Sequence, residues 1–387
     1  MKHRFLCGFL LLLLCSAAWT VTAAPLQSIK NVFIIVMENH AWSSFHGKSS
    51  APYINNTLLP MASRAEAYYS PPGLEPSLPN YLWMEAGTNF GITDDHDPAL
   101  NAQGTTAHLV TQLEAAGVTW KAYAEDIPGT NCPLMGVNYF SPKHTPFLYF
   151  KDVTDNNDLN SLRCIQHVRP FSELAGDLDS NMLAQYVFIT PNMCNDGHNS
   201  CAPLNDPVAQ TDTWLKSNLP MLLNSQPYRN GGAIFITWDE AQDEARNVPI
   251  GMIVLSPLAK GNGYSNTRYY NHGSLLRTIQ EIFGVAPLLG DAANQSSLSD
   301  LFVATGSEEC LFHWAETNYS AYFSPPAVSV DRPTFTYRYY SQTNAFLATS
   351  IATSTAPSHF YYLGPVTNGT LFDFGLTSAW LQTAGCL

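Results

Sequence analysis

Charged side chains are scarce in this chain of 387 residues. Asp, Glu, Lys and Arg make up 13% of it, about half of the roughly 25% that is usual in globular domains. Basic residues are scarcer still: 18 Lys and Arg stand against 31 Asp and Glu, and the formal net charge is −13. A field of that sign repels nucleic acid, so we expect no nucleic-acid partner. The hydrophobic share of 45% is enough for a sizeable core, which excludes a wholly disordered chain.

Long apolar runs are missing after the N-terminus. The chain begins with the basic residues Lys2 and Arg4, continues with an apolar run to about Leu14, and then reaches the small residues Ala23 and Ala24. This is the pattern of a secretory signal peptide, and its apolar run is shorter than the roughly 20 residues of a membrane span. We therefore expect a secreted or periplasmic protein with no transmembrane segment.

Paired cysteines of the CxxC type, which zinc sites commonly use, are also missing. The cysteines that follow the signal peptide are even in number, which in an exported chain predicts disulfides. Proximity along the chain favours three pairs: Cys132 with Cys164, Cys194 with Cys201, and Cys310 with Cys386.

Short apolar runs alternate with helical patterns over the first three quarters of the chain. Such alternation predicts an α/β fold with a mostly parallel central sheet and helices on both faces. The predicted strands are Val32–Met37, Tyr186–Thr190, Ala233–Trp238 and Met252–Leu255, with a weaker one at Val118–Tyr123. The predicted helices are Tyr81–Ala86, Thr106–Ala116, Val208–Leu223 and Ser274–Phe283.

The composition changes after about residue 305. This tail is rich in Thr, Ser, Tyr and Phe, with strand-like pieces at Thr334–Tyr340 and His359–Leu363. We therefore expect three parts: a signal peptide over 1–23, a catalytic domain over 24–304, and a small β-rich module over 305–387.

Polar side chains with metal-binding capacity follow three of the predicted strands. Glu38 and Asn39 follow the first strand, Asp196 and His198 lie beyond the second, and Asp239 and Glu240 follow the third. One acidic residue after a strand is ordinary. Ligands in open α/β sheets, however, bind at the carboxyl ends of the strands, and carboxylates that meet there repel one another unless a cation or a proton neutralises them. A divalent metal site is the simplest explanation.

Two further residues stand near predicted helix starts. Ser77 precedes a helical stretch in a turn rich in proline, where free N–H groups favour an anion such as phosphate. Its alternative role is that of a simple helix cap. His272 begins the last helical pattern, where it either packs, caps, or reaches a phosphate or a metal.

These motifs in this order resemble the phosphoesterase family of the alkaline phosphatase superfamily, which includes acid phosphatases and bacterial phospholipases C. The likeness extends from about residue 30 to 300. It rests on the segments Val-Met-Glu38-Asn39-His40, Pro76-Ser77-Leu-Pro-Asn80-Tyr81, Asp196-Gly-His198, Thr-Trp-Asp239-Glu240 and His272-Gly-Ser.

The resemblance implies a role for each matched residue. One divalent ion would be held by Glu38, Asn39, Ser77, Asp239 and Glu240. Ser77 would be the nucleophile that forms a phosphoseryl intermediate, and Asn80 would bind a phosphoryl oxygen. Asp196, His198 and His272 stand where two-metal members hold a second ion, and either histidine is a candidate general acid. The chain would thus carry one or two divalent ions, with Ca²⁺ or Mg²⁺ suited to the oxygen donors and Zn²⁺ to the second set.

The resulting prediction is a secreted, metal-dependent phosphomonoesterase similar to acid phosphatases, acting on a small phosphate ester. A phospholipase C or another phosphodiesterase, acting on a phospholipid headgroup, is the alternative among enzymes. A sulfatase is disfavoured because Tyr81 stands where the sulfatase maturation pattern needs arginine. The alternative of another class is a secreted binding protein that has lost catalytic activity. It is disfavoured because every predicted ligand position carries a residue that can bind a metal.

Overall fold

The computed structural model describes residues 26–180, 182–241 and 247–303, together with four short strands between 337 and 377. Its centre is an eight-stranded sheet in the order β5-β4-β6-β1-β7-β8-β2-β9. A separate pair consists of β3 and β10. The strands are β1 Val32–Met37, β2 Ser63–Ala65, β3 Tyr68–Tyr69, β4 Trp120–Ala124, β5 Val168–Pro170, β6 Tyr186–Thr190, β7 Ala233–Trp238, β8 Met252–Leu255, β9 Ser265–Asn266 and β10 Tyr270–Asn271.

The sheet is mostly parallel, as predicted. β1 pairs in parallel with β6 on one side and β7 on the other, and β4 and β5 continue in the same direction. Only β8 runs antiparallel to its neighbours, β7 and β2. Every residue of β1, β6 and β7 is buried, so both faces of the sheet centre are covered.

The apolar runs predicted four strands with the bounds that the structure has, namely β1, β6, β7 and β8. The weaker prediction, Val118–Tyr123, is confirmed with a shift, since β4 covers Trp120–Ala124. The short strands β2, β3, β5, β9 and β10 were not predicted, because two or three residues are too few to show a period.

Three helices of the described chain, α4, α8 and α10, correspond to predictions with bounds shifted by at most three residues. A fourth, α2, begins four residues earlier than the predicted Tyr81. The α-helices are α1 Leu59–Met61, α2 Ser77–Ala86, α3 Pro98–Asn101, α4 Leu109–Ala115, α5 Lys151–Thr154, α6 Leu162–His167, α7 Leu174–Asp179, α8 Pro207–Leu223, α9 Gln226–Arg229 and α10 His272–Phe283. None of the helices in the described ranges has both the length and the apolar character that crossing a membrane requires.

Two of the three predicted disulfides lie in the described ranges, and both form. Cys132 is bonded to Cys164 and Cys194 to Cys201, with sequence separations of 32 and 7. The third predicted pair, like the predicted signal peptide, lies outside the described residues.

Four strands are described in the C-terminal part, where we predicted β structure. β11 (Tyr337–Tyr340) pairs antiparallel with β12 (Ala345–Ala348), and β13 (His359–Leu363) pairs antiparallel with β14 (Asp373–Thr377).

Candidate active site

The candidate site lies at the carboxyl ends of β6, β1 and β7. Glu38 directly follows β1, and Asp239 directly follows β7. The two strands are paired, and the Asp239 N–H donates to the Met37 carbonyl at 3.0 Å. On the other side of β1, the Glu38 N–H donates at 2.9 Å to the carbonyl of Asp196, in the loop after β6. The topology therefore brings the three acidic residues to one place.

Asn39 shapes the turn that leaves β1. Its φ of +48° lies in the left-handed region, which asparagine tolerates better than most residues with a side chain. In this conformation the Asn39 N–H donates to Asp239 Oδ1 at 3.0 Å. Glu240, the second residue after β7, accepts a hydrogen bond from Asn80 Nδ2 at 2.9 Å. These bonds tie the β1 turn and helix α2 to the end of β7.

Ser77 is the first residue of α2 and faces the acidic residues. Its hydroxyl is nearly buried and donates to Glu38 Oε2 at 3.1 Å. It also lies close enough to the Asp239 carboxyl group to lower that group's pKa. The neighbouring Leu78 N–H donates to Asp95 Oδ1 at 2.9 Å, so one of the N–H groups at this helix start is already paired with a carboxylate.

The three carboxyl groups are almost completely buried. Burial raises the pKa of Glu38 well above its usual range, and the charges of Asp239 and Asp196 raise it further. Burial likewise raises the pKa of Asp196, and it raises the pKa of Asp239 to about 6 in spite of the Asn39 N–H. Carboxylates so close and so poorly solvated persist as anions only when a cation compensates them.

The donor atoms of this site suit a hard cation. Three buried oxygens of the site, Asp239 Oδ2, Asp196 Oδ2 and Asn80 Oδ1, have no hydrogen-bond partner in the described part of the chain. Carboxylate, amide and hydroxyl oxygens are the ligands that Ca²⁺ and Mg²⁺ prefer. Within the described ranges, no three His, Cys, Asp or Glu side chains already form a coordination shell. A bound ion would therefore depend on hydroxyl and amide oxygens as well as carboxylates.

His272 contacts the site through the backbone of Asp239, and both of its ring nitrogens are hydrogen-bonded. Nε2 donates to the Asp239 carbonyl at 2.6 Å, and Nδ1 accepts from the Tyr68 hydroxyl at 3.1 Å. Burial lowers the pKa of the fully enclosed His272 ring to about 4. This arrangement holds a neutral imidazole in one tautomer behind Asp239.

His198 lies in the short loop closed by the Cys194–Cys201 disulfide. Its N–H donates to Asp196 Oδ1 at 2.8 Å, and its Nδ1 is 2.9 Å from Asn199 Oδ1. Gly197 lies between Asp196 and His198 and has a φ of +96°. A Cβ at this position would stand 2.7 Å from Thr211 Oγ1. The loop thus needs glycine at this position to turn His198 and Asp196 toward the site.

Sequence reasoning missed three residues that contact the acidic residues or act on their charge. His144 lies between two of the acids, with Nε2 3.3 Å from Glu38 Oε1 and Nδ1 3.3 Å from Asp196 Oδ2. Its ring stacks on Tyr81, whose hydroxyl donates to Glu38 Oε1 at 2.5 Å. Lys143 donates to Asp95 Oδ2 at 2.6 Å, and its charge lowers the pKa of all three acids.

Only one of these three carried a local signal. Tyr81 belongs to the recognised Ser77 motif. Lys143 and His144, in contrast, lie on a 3₁₀ turn in the long stretch between β4 and β5, far along the chain from the end of either strand. Their placement depends on packing between distant parts of the chain, which neither a motif nor a period reveals.

Comparison with known proteins identifies the family. The model of the phosphoesterase family matches residues 65–286, more than half of the chain. The chain is 28% identical over 282 residues to a phosphatidylinositol-3-phosphatase of Mycobacterium tuberculosis, covering 73% of this chain and 86% of that protein. It is 29% identical to a phosphate-repressible acid phosphatase of Penicillium chrysogenum, over 56% of this chain but only half of that longer protein.

Among solved structures, a member of the alkaline phosphatase superfamily from Vibrio parahaemolyticus superimposes with a TM-score of 0.45 at 10% identity, over 92% of this chain and 85% of the other. The family match covers α2, β4, β6 and β7, and with them Ser77, Asp196 and Asp239. The chain belongs to the phosphoesterase family and is a hydrolase of phosphoric ester bonds.

Proposed function

We propose that this protein is a secreted, metal-dependent phosphomonoesterase that acts through a phosphoseryl intermediate on Ser77. The observation that carries the proposal is the buried Ser77 hydroxyl, which donates to Glu38 Oε2 at 3.1 Å and lies beside Asp239. The relatives support the monoester class, because the mycobacterial and fungal proteins are named as phosphatases. Two disulfides in the described ranges support an oxidising compartment.

We propose that the metal ion binds beside the buried carboxyl groups of Glu38 and Asp239. An ion there would neutralise the buried carboxylates and make the serine hydroxyl a stronger acid. One ion per chain fits better than two, because both ring nitrogens of His272 are already hydrogen-bonded. The residues that would hold it are Glu38, Asn39, Ser77, Asp239 and Glu240.

The chemistry needs two displacements at phosphorus. The Ser77 Oγ–P bond forms while the P–O bond to the leaving alcohol breaks, and Glu38 Oε2 is placed to accept the hydroxyl proton. The alcohol takes a proton from His198, which we propose as the general acid in preference to the enclosed His272. Water then attacks phosphorus and gives a proton to His198, the Oγ–P bond breaks, the Ser77 oxygen takes back the proton held by Glu38, and inorganic phosphate leaves.

The remaining residues supply positioning and charge. Asn80 would donate to a phosphoryl oxygen through its amide, which now bonds Glu240. Lys143 and His144 would offset part of the negative charge that builds up on phosphorus. We also propose that residues 24–304 form the catalytic domain and 305–387 a separate β-rich module.

Phosphate release from p-nitrophenyl phosphate tests the proposal. Ser77→Ala should lower kcat by about 10³-fold or more, whereas Ser217→Ala, which removes an exposed hydroxyl on α8, should leave it unchanged. A chelator should abolish activity and Mg²⁺ or Ca²⁺ should restore it. Acid quenching during turnover should trap a phosphate on Ser77 that mass spectrometry detects.

Three results would contradict parts of the proposal. Full activity of Ser77→Ala would exclude the serine nucleophile, and indifference to chelators would exclude the metal. Faster hydrolysis of phosphatidylcholine than of the monoester would replace the phosphomonoesterase by a phospholipase C.

A further inference from the structure

The carboxylate of Asp95 connects two parts of the candidate site that are far apart in sequence. Its Oδ1 accepts the Leu78 N–H at 2.9 Å, and its Oδ2 accepts a hydrogen bond from Lys143 Nζ at 2.6 Å. Leu78 is the second residue of α2, directly after Ser77. Because both hydrogen bonds end on one carboxylate, the ammonium group of Lys143 lies close to the start of the helix that carries the proposed nucleophile.

Helix α2 receives this carboxylate from another part of the chain. Its own N-cap residue, Pro76, makes no side-chain hydrogen bond to the first turn. The first N–H groups of a helix have no partner within the helix and attract a negative charge. Asp95 pairs with one of them and places a negative charge beside Ser77. That charge would repel a phosphoryl group unless a cation is paired with it.

Lys143 is the cation paired with Asp95, and it is largely shielded from solvent. The side chains of Lys143 and Asp95 are 15% and 28% exposed, so solvent and salt screen this ion pair less than a surface pair. The charge of Lys143 lowers the pKa of all three buried acids of the site, which shows that its ammonium group acts on the site as well as on Asp95. The next residue, His144, contacts two of these acids.

The loop that carries Asp95 is held by hydrogen bonds of its own. Asp94 Oδ1 accepts from Asn101 Nδ2 at 2.6 Å and from the His96 N–H at 3.1 Å. Lysine, in contrast, has a long side chain with several rotatable bonds. In this ion pair the carboxylate is therefore the fixed partner, and the ammonium group is the one whose position it decides.

We propose that Asp95 is a positioning residue, which holds the ammonium group of Lys143 beside Ser77 so that it binds the phosphoryl group during transfer. The inference rests on the proposed function, because it assigns a supporting residue to that same reaction. Asp95 contacts neither the substrate nor the metal ion in this proposal. Without Asp95, the Lys143 side chain would gain rotamer freedom and would spend less time beside the phosphoryl group.

Asp95→Asn tests this role, because asparagine keeps an oxygen for the Leu78 N–H and loses the charge that holds Lys143. With p-nitrophenyl phosphate, kcat/KM should fall by about 10–100-fold. The inhibition constant of inorganic phosphate should rise by about threefold or more, because Lys143 also attracts the free anion. Loss of a negative charge by itself would act in the opposite direction and would tighten phosphate binding.

A double-variant cycle shows whether Asp95 acts through the lysine. Lys143→Met should lower kcat/KM by a factor similar to that of Asp95→Asn, and the double variant should lose no more than about twofold further. Independent contributions would instead multiply. Asp97→Asn, which removes an exposed carboxylate from the same loop, is the matched control and should keep kcat/KM within about twofold of wild type.

Two further measurements separate positioning from folding. Urea unfolding reports the stability of each variant, and the inhibition constant of phosphate does not depend on how much of a preparation is folded. A variant that merely folds less well therefore loses kcat and keeps the phosphate constant of wild type.

The outcomes distinguish this inference from the proposed function. If wild type releases no phosphate, both are overturned. If wild type is active, three results would overturn the positioning role alone: a phosphate inhibition constant that stays the same or falls in Asp95→Asn, full activity of Lys143→Met, or a loss from Asp95→Asn that repeats in full in the Lys143→Met background.

Discussion

At the scale of single residues, Glu38 depends on the hydroxyl of Tyr81. The buried Tyr81 hydroxyl donates to Glu38 Oε1 at 2.5 Å and lowers the pKa of a carboxyl group that burial raises. Tyr81→Phe should therefore destabilise the protein by about 1–3 kcal/mol. If Glu38 binds the proposed metal ion, the substitution should also weaken the apparent affinity for that ion by about 10–100-fold, as the loss of a hydrogen bond to a metal ligand does. Urea unfolding and a metal titration of activity measure the two effects.

Tyr149→Phe is the matched control. Tyr149 is also fully buried, but its hydroxyl has no hydrogen-bond partner in the described chain. Its removal should change the free energy of unfolding by less than about 0.5 kcal/mol or stabilise the protein. If both variants behave alike, the Tyr81 hydroxyl does not support Glu38.

Residues next to strand ends were predictable, and residues brought in by packing were not. Glu38 and Asp239 could be placed together because each follows an apolar run, and parallel strands end at the same edge. His144 has no such neighbour in sequence, although it lies 3.3 Å from two of the acids. Its position is decided by how the stretch between β4 and β5 folds over α2, which is a tertiary effect.

At the scale of elements, the length of a strand decided whether the sequence predicted it. β1, β6, β7 and β8 are buried runs of four to six residues that nothing interrupts, and their bounds were predicted without error. β2 and β9 are too short for a pattern, and they join the sheet only because β8 turns back antiparallel beside β7. Edges of sheets are therefore the part of this fold that sequence reasoning leaves open.

The two described disulfides should differ in what they stabilise. The loop closed by Cys132–Cys164 spans 32 positions and that closed by Cys194–Cys201 spans 7. Loop entropy then gives about 4 kcal/mol for the long loop and about 2.5 kcal/mol for the short one. The short loop, however, carries Asp196 and His198.

We therefore expect opposite rankings for the two double Cys→Ser variants. Replacing Cys132 and Cys164 should cost more free energy of unfolding, and replacing Cys194 and Cys201 should cost more kcat/KM. Chemical denaturation and steady-state kinetics on the same preparations give the two rankings. Identical rankings in both measurements would show that the short disulfide does not hold the site residues in place.

At the scale of the whole molecule, one buried charge network joins helices that the sequence separates. His108, at the start of α4, has Nδ1 2.8 Å from Glu85 Oε1 on α2 and Nε2 3.1 Å from Asp152 Oδ1 on α5. Arg163, on α6, also contacts Asp152. The helix that carries Ser77 is thereby fixed to the part of the chain that carries His144. No sequence motif predicts this network, because the spacing of its members along the chain follows no recognisable pattern.

The same network predicts a pH dependence of stability. Burial acts to lower the pKa of His108, but the hydrogen bonds to Asp152 and Glu85 outweigh it and raise the pKa to about 9. Because the folded state binds this proton more tightly than the unfolded state, the stabilisation is complete below about pH 6.5 and is lost as the pH rises through 9. The raised pKa of buried Glu85 acts in the same direction, whereas that of Asp152, lowered to about 2, matters only in acid.

Urea unfolding between pH 6 and 9.5 measures this loss, which should reach about 3 kcal/mol. His108→Gln should start less stable and lose most of the slope, because the titrating group is gone. His96→Gln, which removes an exposed histidine beside Asp94, should keep the slope of wild type. A wild-type stability that stays flat from pH 6.5 to 9, or a slope that survives in His108→Gln, would mean that His108 is not held as a cation between its two carboxylates, and α2 would then be anchored by packing alone.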